Sequence, residues 1–75
     1  MSELPVIRGD VAVKAFIRAG FQLDHVRGSH HILKKSGHRY HLSVPVHKGQ
    51  TLGRGLLRKL IRDAGMTEEE FLKFL

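Results

Sequence analysis

The 75-residue chain contains no cysteine and no tryptophan, only two prolines and a single tyrosine. Without thiols it can form neither a disulfide nor a thiolate metal site, a composition that suits a reducing compartment. No apolar run approaches the roughly 20 residues that span a bilayer. The opening Met1-Ser2-Glu3-Leu4-Pro5 has neither the cationic start nor the hydrophobic stretch of an export signal. A cytoplasmic protein without membrane association is expected. At this length it forms one domain, residues 1–75, and buries only roughly 60% of the surface its unfolded chain exposes. Size therefore excludes a deep, enclosed active site.

Acidic residues are scarce too, and the scarcity is local. Between His25 and Arg62 there is none, whereas that stretch holds Arg27, Lys34, Lys35, Arg39, Lys48, Arg54, Arg58, Lys59, Arg62 and all six histidines. The carboxylates stand outside it, at Glu3, Asp10, Asp24, Asp63 and Glu68 to Glu70. Overall, 13 lysines and arginines face 7 acids, for a formal charge of +6. A cationic block without internal counter-ions attracts polyanions, and nucleic acid is the polyanion such a block fits.

The pattern predicts an α+β domain ordered α-β-β-β-α-α. A first helix starts at Gly9-Asp10, with Val13, Phe16 and Ile17 on one face, and stops at Gly20. Phe21 to Arg27 reads as a strand in which Phe21 and Leu23 alternate with Gln22 and Asp24. Gly28-Ser29 turns the chain into a second strand, His30 to Lys35, and Ser36-Gly37 turns it again. Arg39 to Val46 reads as the third strand, with Tyr40, Leu42, Val44 and Val46 on one face and Pro45 marking an edge or an end. The strands would form an antiparallel meander with helices packed on one face. After a loop from His47 to Gly55, a second helix buries Leu57, Leu60, Ile61 and Ala64 and carries a cationic stripe, Arg54, Arg58 and Arg62. Gly65 ends it. Thr67 and Glu70 form a capping box for a last short helix, with Met66 and Phe71 as its hydrophobic staple.

This order resembles a double-stranded-RNA-binding domain. Its local motifs resemble the HicA family of type II toxins along essentially the whole chain. The matching pieces are Leu4-Pro5 before the Gly9-led helix, Ala19-Gly20-Phe21, Arg27-Gly28-Ser29-His30-His31, Val44-Pro45-Val46-His47, and Leu56 to Gly65 followed by Glu68-Glu69-Glu70-Phe71-Leu72. Two departures stand out. Lys35-Ser36-Gly37 occupies a turn that is often Pro-Asp-Gly in the family, and Leu56 follows Gly55 where a hydroxyl residue is common. The resemblance implies a stress-response toxin, an endoribonuclease (mRNA interferase) acting on messenger RNA. It also implies His30 as the catalytic residue and a HicB-type antitoxin partner that neutralises the toxin in a hetero-oligomer.

The residues allow that chemistry. RNA can be cleaved by its own 2′-hydroxyl, given an acid, a base and positive charge for the phosphorane-like transition state. A histidine titrates near neutrality and serves as either acid or base, and no cofactor or metal is needed. A phosphate-contacting surface histidine, in a non-catalytic RNA-binding module, is the other reading of the same residue. Gly28 and Ser29 would shape the approach to His30, with backbone N–H groups available to phosphate. Lys34 and Lys35 on the sheet, Lys48, and Arg54, Arg58 and Arg62 on the second helix are the expected RNA contacts. His31 should face away from His30, and His25, His38 and His41 read as sheet or surface residues. The counterpart of His30 could be His47, a lysine or water.

Overall fold

The computed structural model describes residues 4–75, so Met1–Glu3, part of the N-terminal reading above, lie outside the described residues. The chain runs α1 (Gly9–Arg18), β1 (Gln22–Arg27), β2 (His30–Lys34), β3 (Leu42–Pro45), α2 (Arg54–Asp63) and α3 (Glu68–Leu72). The strands form one antiparallel sheet in the order β1-β2-β3. This is the expected α+β order, compatible with a double-stranded-RNA-binding arrangement.

The helices follow their sequence signals closely. The buried arc of α1 runs through Ala12, Val13, Ala15 and Phe16. Ile17, expected in that stripe, falls just beyond the arc and is 44% exposed. Small residues also let α1 sit close to the sheet. A Cβ on Gly9 would run into the Pro45 carbonyl oxygen and lie 3.2 Å from Val46 Cα. Both long helices stop in the same way. Gly20 N donates to Ile17 O and Phe21 N to Phe16 O, as Gly65 N does to Arg62 O and Met66 N to Ile61 O. This paired hydrogen-bond pattern needs a left-handed residue after the C-cap, and Gly20 (φ +109°) and Gly65 (φ +76°) supply it. The Thr67–Glu70 capping box is complete, with both reciprocal bonds formed.

Two strands depart from expectation. In β1 the pairing passes from Leu23↔Leu33 to His25↔Ile32, so Asp24 is an extra residue in a bulge. The alternation breaks there, and every residue of β1 is exposed. Phe21 is buried, but Leu23, expected beside it, is 46% exposed. The third strand covers Leu42–Pro45 instead of Arg39 to Val46, and His38 just before the expected start is bonded elsewhere. Its Nε2 lies 2.6 Å from the carbonyl oxygen of Asp63 at the end of α2, and its ring packs edge-on against Phe21. A carbonyl only accepts, so Nε2 carries the hydrogen. The latch draws residues 38–41 off the ladder, which leaves Tyr40 exposed instead of on the buried face.

The core lies between the helices and one face of the sheet. Phe16 packs against Phe71 (centroids 5.0 Å apart) and Phe21 (6.1 Å). Leu33, Leu42, Val44, Leu57 and Ile61 close around them, with Leu4 from the N-terminal segment.

Candidate active site on the open face of the sheet

The hairpin Arg27-Gly28-Ser29-His30 sets the geometry. Gly28 has φ +58°, and Ser29 has no positive φ. A left-handed first central residue alone is the pattern of a type II′ turn, which matches the twist of the strands it joins. A Cβ on Gly28 would meet nothing within 4 Å, so the ground above the turn is open.

Ladder parity fixes the faces. His31 pairs with Val44 and Leu33 with Leu42. Val44 and Leu42 are buried under the helices, so His31 and Leu33 share that side, and the alternating His30, Ile32 and Lys34 take the open face. The two adjacent histidines thus point oppositely, as expected. His31 Nδ1 is buried without a hydrogen-bond partner among the described residues. His30, the first residue of β2, is exposed. Its ladder neighbours are Arg27 on β1 and Pro45 on β3. Arg27 forms no ion pair with any described residue.

One carboxylate interrupts this cationic face. Asp24 Oδ2 accepts from His25 Nδ1 at 2.6 Å and lies 3.3 Å from Lys34 Nζ. The hydrogen bond from His25, and then that from Lys34, hold the Asp24 carboxyl below its ordinary value of 3.8. The sequence reading did not count Arg27, Asp24 or His25 among the candidate site residues. Their proximity in sequence to His30 was visible, but the bulge that turns Asp24 toward Lys34 leaves no mark in a count of alternating residues.

The other expected RNA contacts are spread around this centre. Val46 N donates to Ser29 O at 2.7 Å, tying the exit of β3 to the hairpin. The chain then turns through His47 and exposed Lys48, which line a shallow hollow with Arg8, Asp10, Val46 and Gly49. Arg54 opens α2, and its Nε donates to Leu4 O at 2.8 Å. Arg58 stands 3.6 Å from Glu68. Arg62 borders the groove between α2 and α3 with no ion pair among the described residues. Lys35 lies across the junction of α1 and β1, with Nζ 3.5 Å from Ala19 O and 5.6 Å from the Phe21 ring centroid. Gly28, Ser29, His30 and Lys34 therefore share the hairpin and the open face. Lys48 follows at its exit, while Lys35, Arg58 and Arg62 sit elsewhere. Among the described residues no three histidines or carboxylates converge as a metal site.

An exposed imidazole beside an unpaired guanidinium, on a face open to an extended polyanion, suits proton transfer at a phosphodiester. The sequence model of a family described as HicA toxin of bacterial toxin-antitoxin matches residues 9–66. No curated protein matches the chain.

Proposed function

This chain belongs to the HicA toxin family, and we propose that it is an endoribonuclease that cleaves messenger RNA with His30 as general acid/base. Membership makes it the toxin of a toxin–antitoxin pair and implies an antitoxin partner. In this reading the partner is of HicB type and blocks the open face. The observation that carries the reading is the place of His30. It is exposed at the first ladder position after the hairpin, with Arg27 opposite and open space where a Cβ on Gly28 would stand. Cleavage by the 2′-hydroxyl of the RNA itself asks the protein only for proton transfer and positive charge. Gly28 and Ser29 leave the approach open, Lys34 and Lys48 flank the phosphate path, and Arg54, Arg58 and Arg62 extend the attraction along α2. The work is done in the cytoplasm, where the message is; among the described residues no helix is long and apolar enough to cross a membrane.

The test is expression of the chain with and without His30→Ala, followed by growth, transcript length and cleavage of purified RNA in the presence of a chelator. The wild type is expected to arrest growth and cleave RNA. The variant loses about 10²–10⁴-fold in cleavage rate. Equal toxicity and equal cleavage by both would remove His30 from its role. RNA binding without cleavage by the wild type would instead identify a binding module.

A further inference from the structure

We propose that His25 is the second acid/base of this site, delivering the proton to the leaving 5′-oxygen, with Asp24 as the residue that positions its ring. The inference rests on the ribonuclease reading above and names the counterpart that His30 needs.

Ladder geometry carries it. His25 pairs with Ile32 and Arg27 with His30, so His25, Arg27 and His30 all face the open side. His25 and His30 are diagonal neighbours across the ladder. Such positions lie about 7–8 Å apart, within reach of aromatic side chains. In-line displacement needs groups on opposite sides of the phosphorus, and a diagonal pair provides them, with Arg27 beside the diagonal, directly opposite His30. The other histidines are placed differently. His31 faces the helices, His38 is bound to Asp63 O, and His41 lies outside the ladder. His47 lies beyond the end of β3, in the hollow beside Arg8 and Asp10.

The bulge supplies the second part of the argument. The extra residue is an acid, and its Oδ2 lies 2.6 Å from His25 Nδ1. A carboxylate accepts, so Nδ1 carries a hydrogen and Nε2 is the nitrogen left for substrate. At 46% side-chain exposure the ring is accessible. The Lys34 ammonium, 3.3 Å from the same oxygen, also holds the carboxylate.

The step balances. His30 takes the proton from O2′ as the O2′–P bond forms. The P–O5′ bond breaks, and His25 Nε2–H gives its proton to O5′. The products are a 2′,3′-cyclic phosphate and a 5′-hydroxyl, and solvent returns the proton from His30 to His25. This division sets the imidazolium next to the Asp24 carboxylate.

A substrate with sulfur in place of the bridging 5′-oxygen tests it, because a thiolate leaves without a proton. Cleavage of this RNA and of ordinary RNA is measured for the wild type, His25→Ala, His25→Gln, Asp24→Asn and His30→Ala, with thermal midpoints for each. His25→Ala is expected to lose about 10²–10⁴-fold on ordinary RNA and to cleave the sulfur substrate at nearly the wild-type rate. Asp24→Asn shows a smaller loss, also confined to the oxygen substrate, while His30→Ala fails on both. If His25→Ala melts early, His25→Gln carries the comparison. Wild-type rates for the His25 variants, or equal losses on both substrates, would overturn the role of His25 and leave the ribonuclease reading standing. Failure of the wild type to cleave either RNA would overturn both.

Discussion

Single residues in this protein act through what surrounds them, and two glycines show it with opposite signs. Gly9 has no room for a Cβ against the Pro45 carbonyl, whereas Gly55, inside α2, has open space and no positive φ. Gly9→Ala should cost about 1–3 kcal/mol by forcing helix and strand apart. Gly55→Ala should gain up to about 1 kcal/mol from helix propensity. Denaturant midpoints of the two variants read both signs. Asp24 adds a pH dependence. Its carboxyl titrates below 3.8 in the folded chain because His25 and Lys34 hold the charged form. Such a group stabilises fully above its unfolded value and loses that contribution as pH falls through the folded value. The stability gap between wild type and Asp24→Asn should therefore persist from neutrality to about pH 4 and close below it, as followed by thermal melts across pH. Of the candidate site, the role expected of His30 came only from family resemblance, since composition left a phosphate contact equally open. Asp24 and His25 were not legible, because their meeting depends on a bulge that no spacing encodes.

At the scale of elements, helices were easier to read than strands. Periodicity, Gly20, Gly65 and the Thr67–Glu70 box are local signals, and local bonds realise them. The bounds of β1 and β3 depend instead on partners far along the chain. His38 reaches Asp63 from 25 positions away, and no pattern within residues 38–46 foretells that. The same locality makes α3 a clean test of its cap. Thr67→Ala removes the acceptor for Glu70 N and should cost about 1 kcal/mol of stability. Because α3 holds Phe71 against Phe16, a global melt should register the loss, not merely fraying of the last turn.

For the molecule as a whole, the net charge predicts attraction to RNA, but the structure grades its cations. Lys48 has no ion-pair partner among the described residues, while Lys35 is occupied at Ala19 and Phe21. Lys48→Ala should reduce the slope of log affinity against log salt by about 0.7 for single-stranded RNA. Lys35→Ala should reduce it less, and a filter-binding titration separates the two.

The closing of the core by residues distant in sequence has a consequence for how the protein is made. Leu4 is buried and its carbonyl accepts from Arg54 Nε, Ile7 O accepts from Leu52 N, and Phe16 meets Phe71. A nascent chain still short of Phe71 leaves Phe16 with Phe21 as its aromatic partner and without the closer ring of Phe71. Translation thus imposes its own delay, since the sheet acquires its full support only after the ribosome has passed the codon for Phe71.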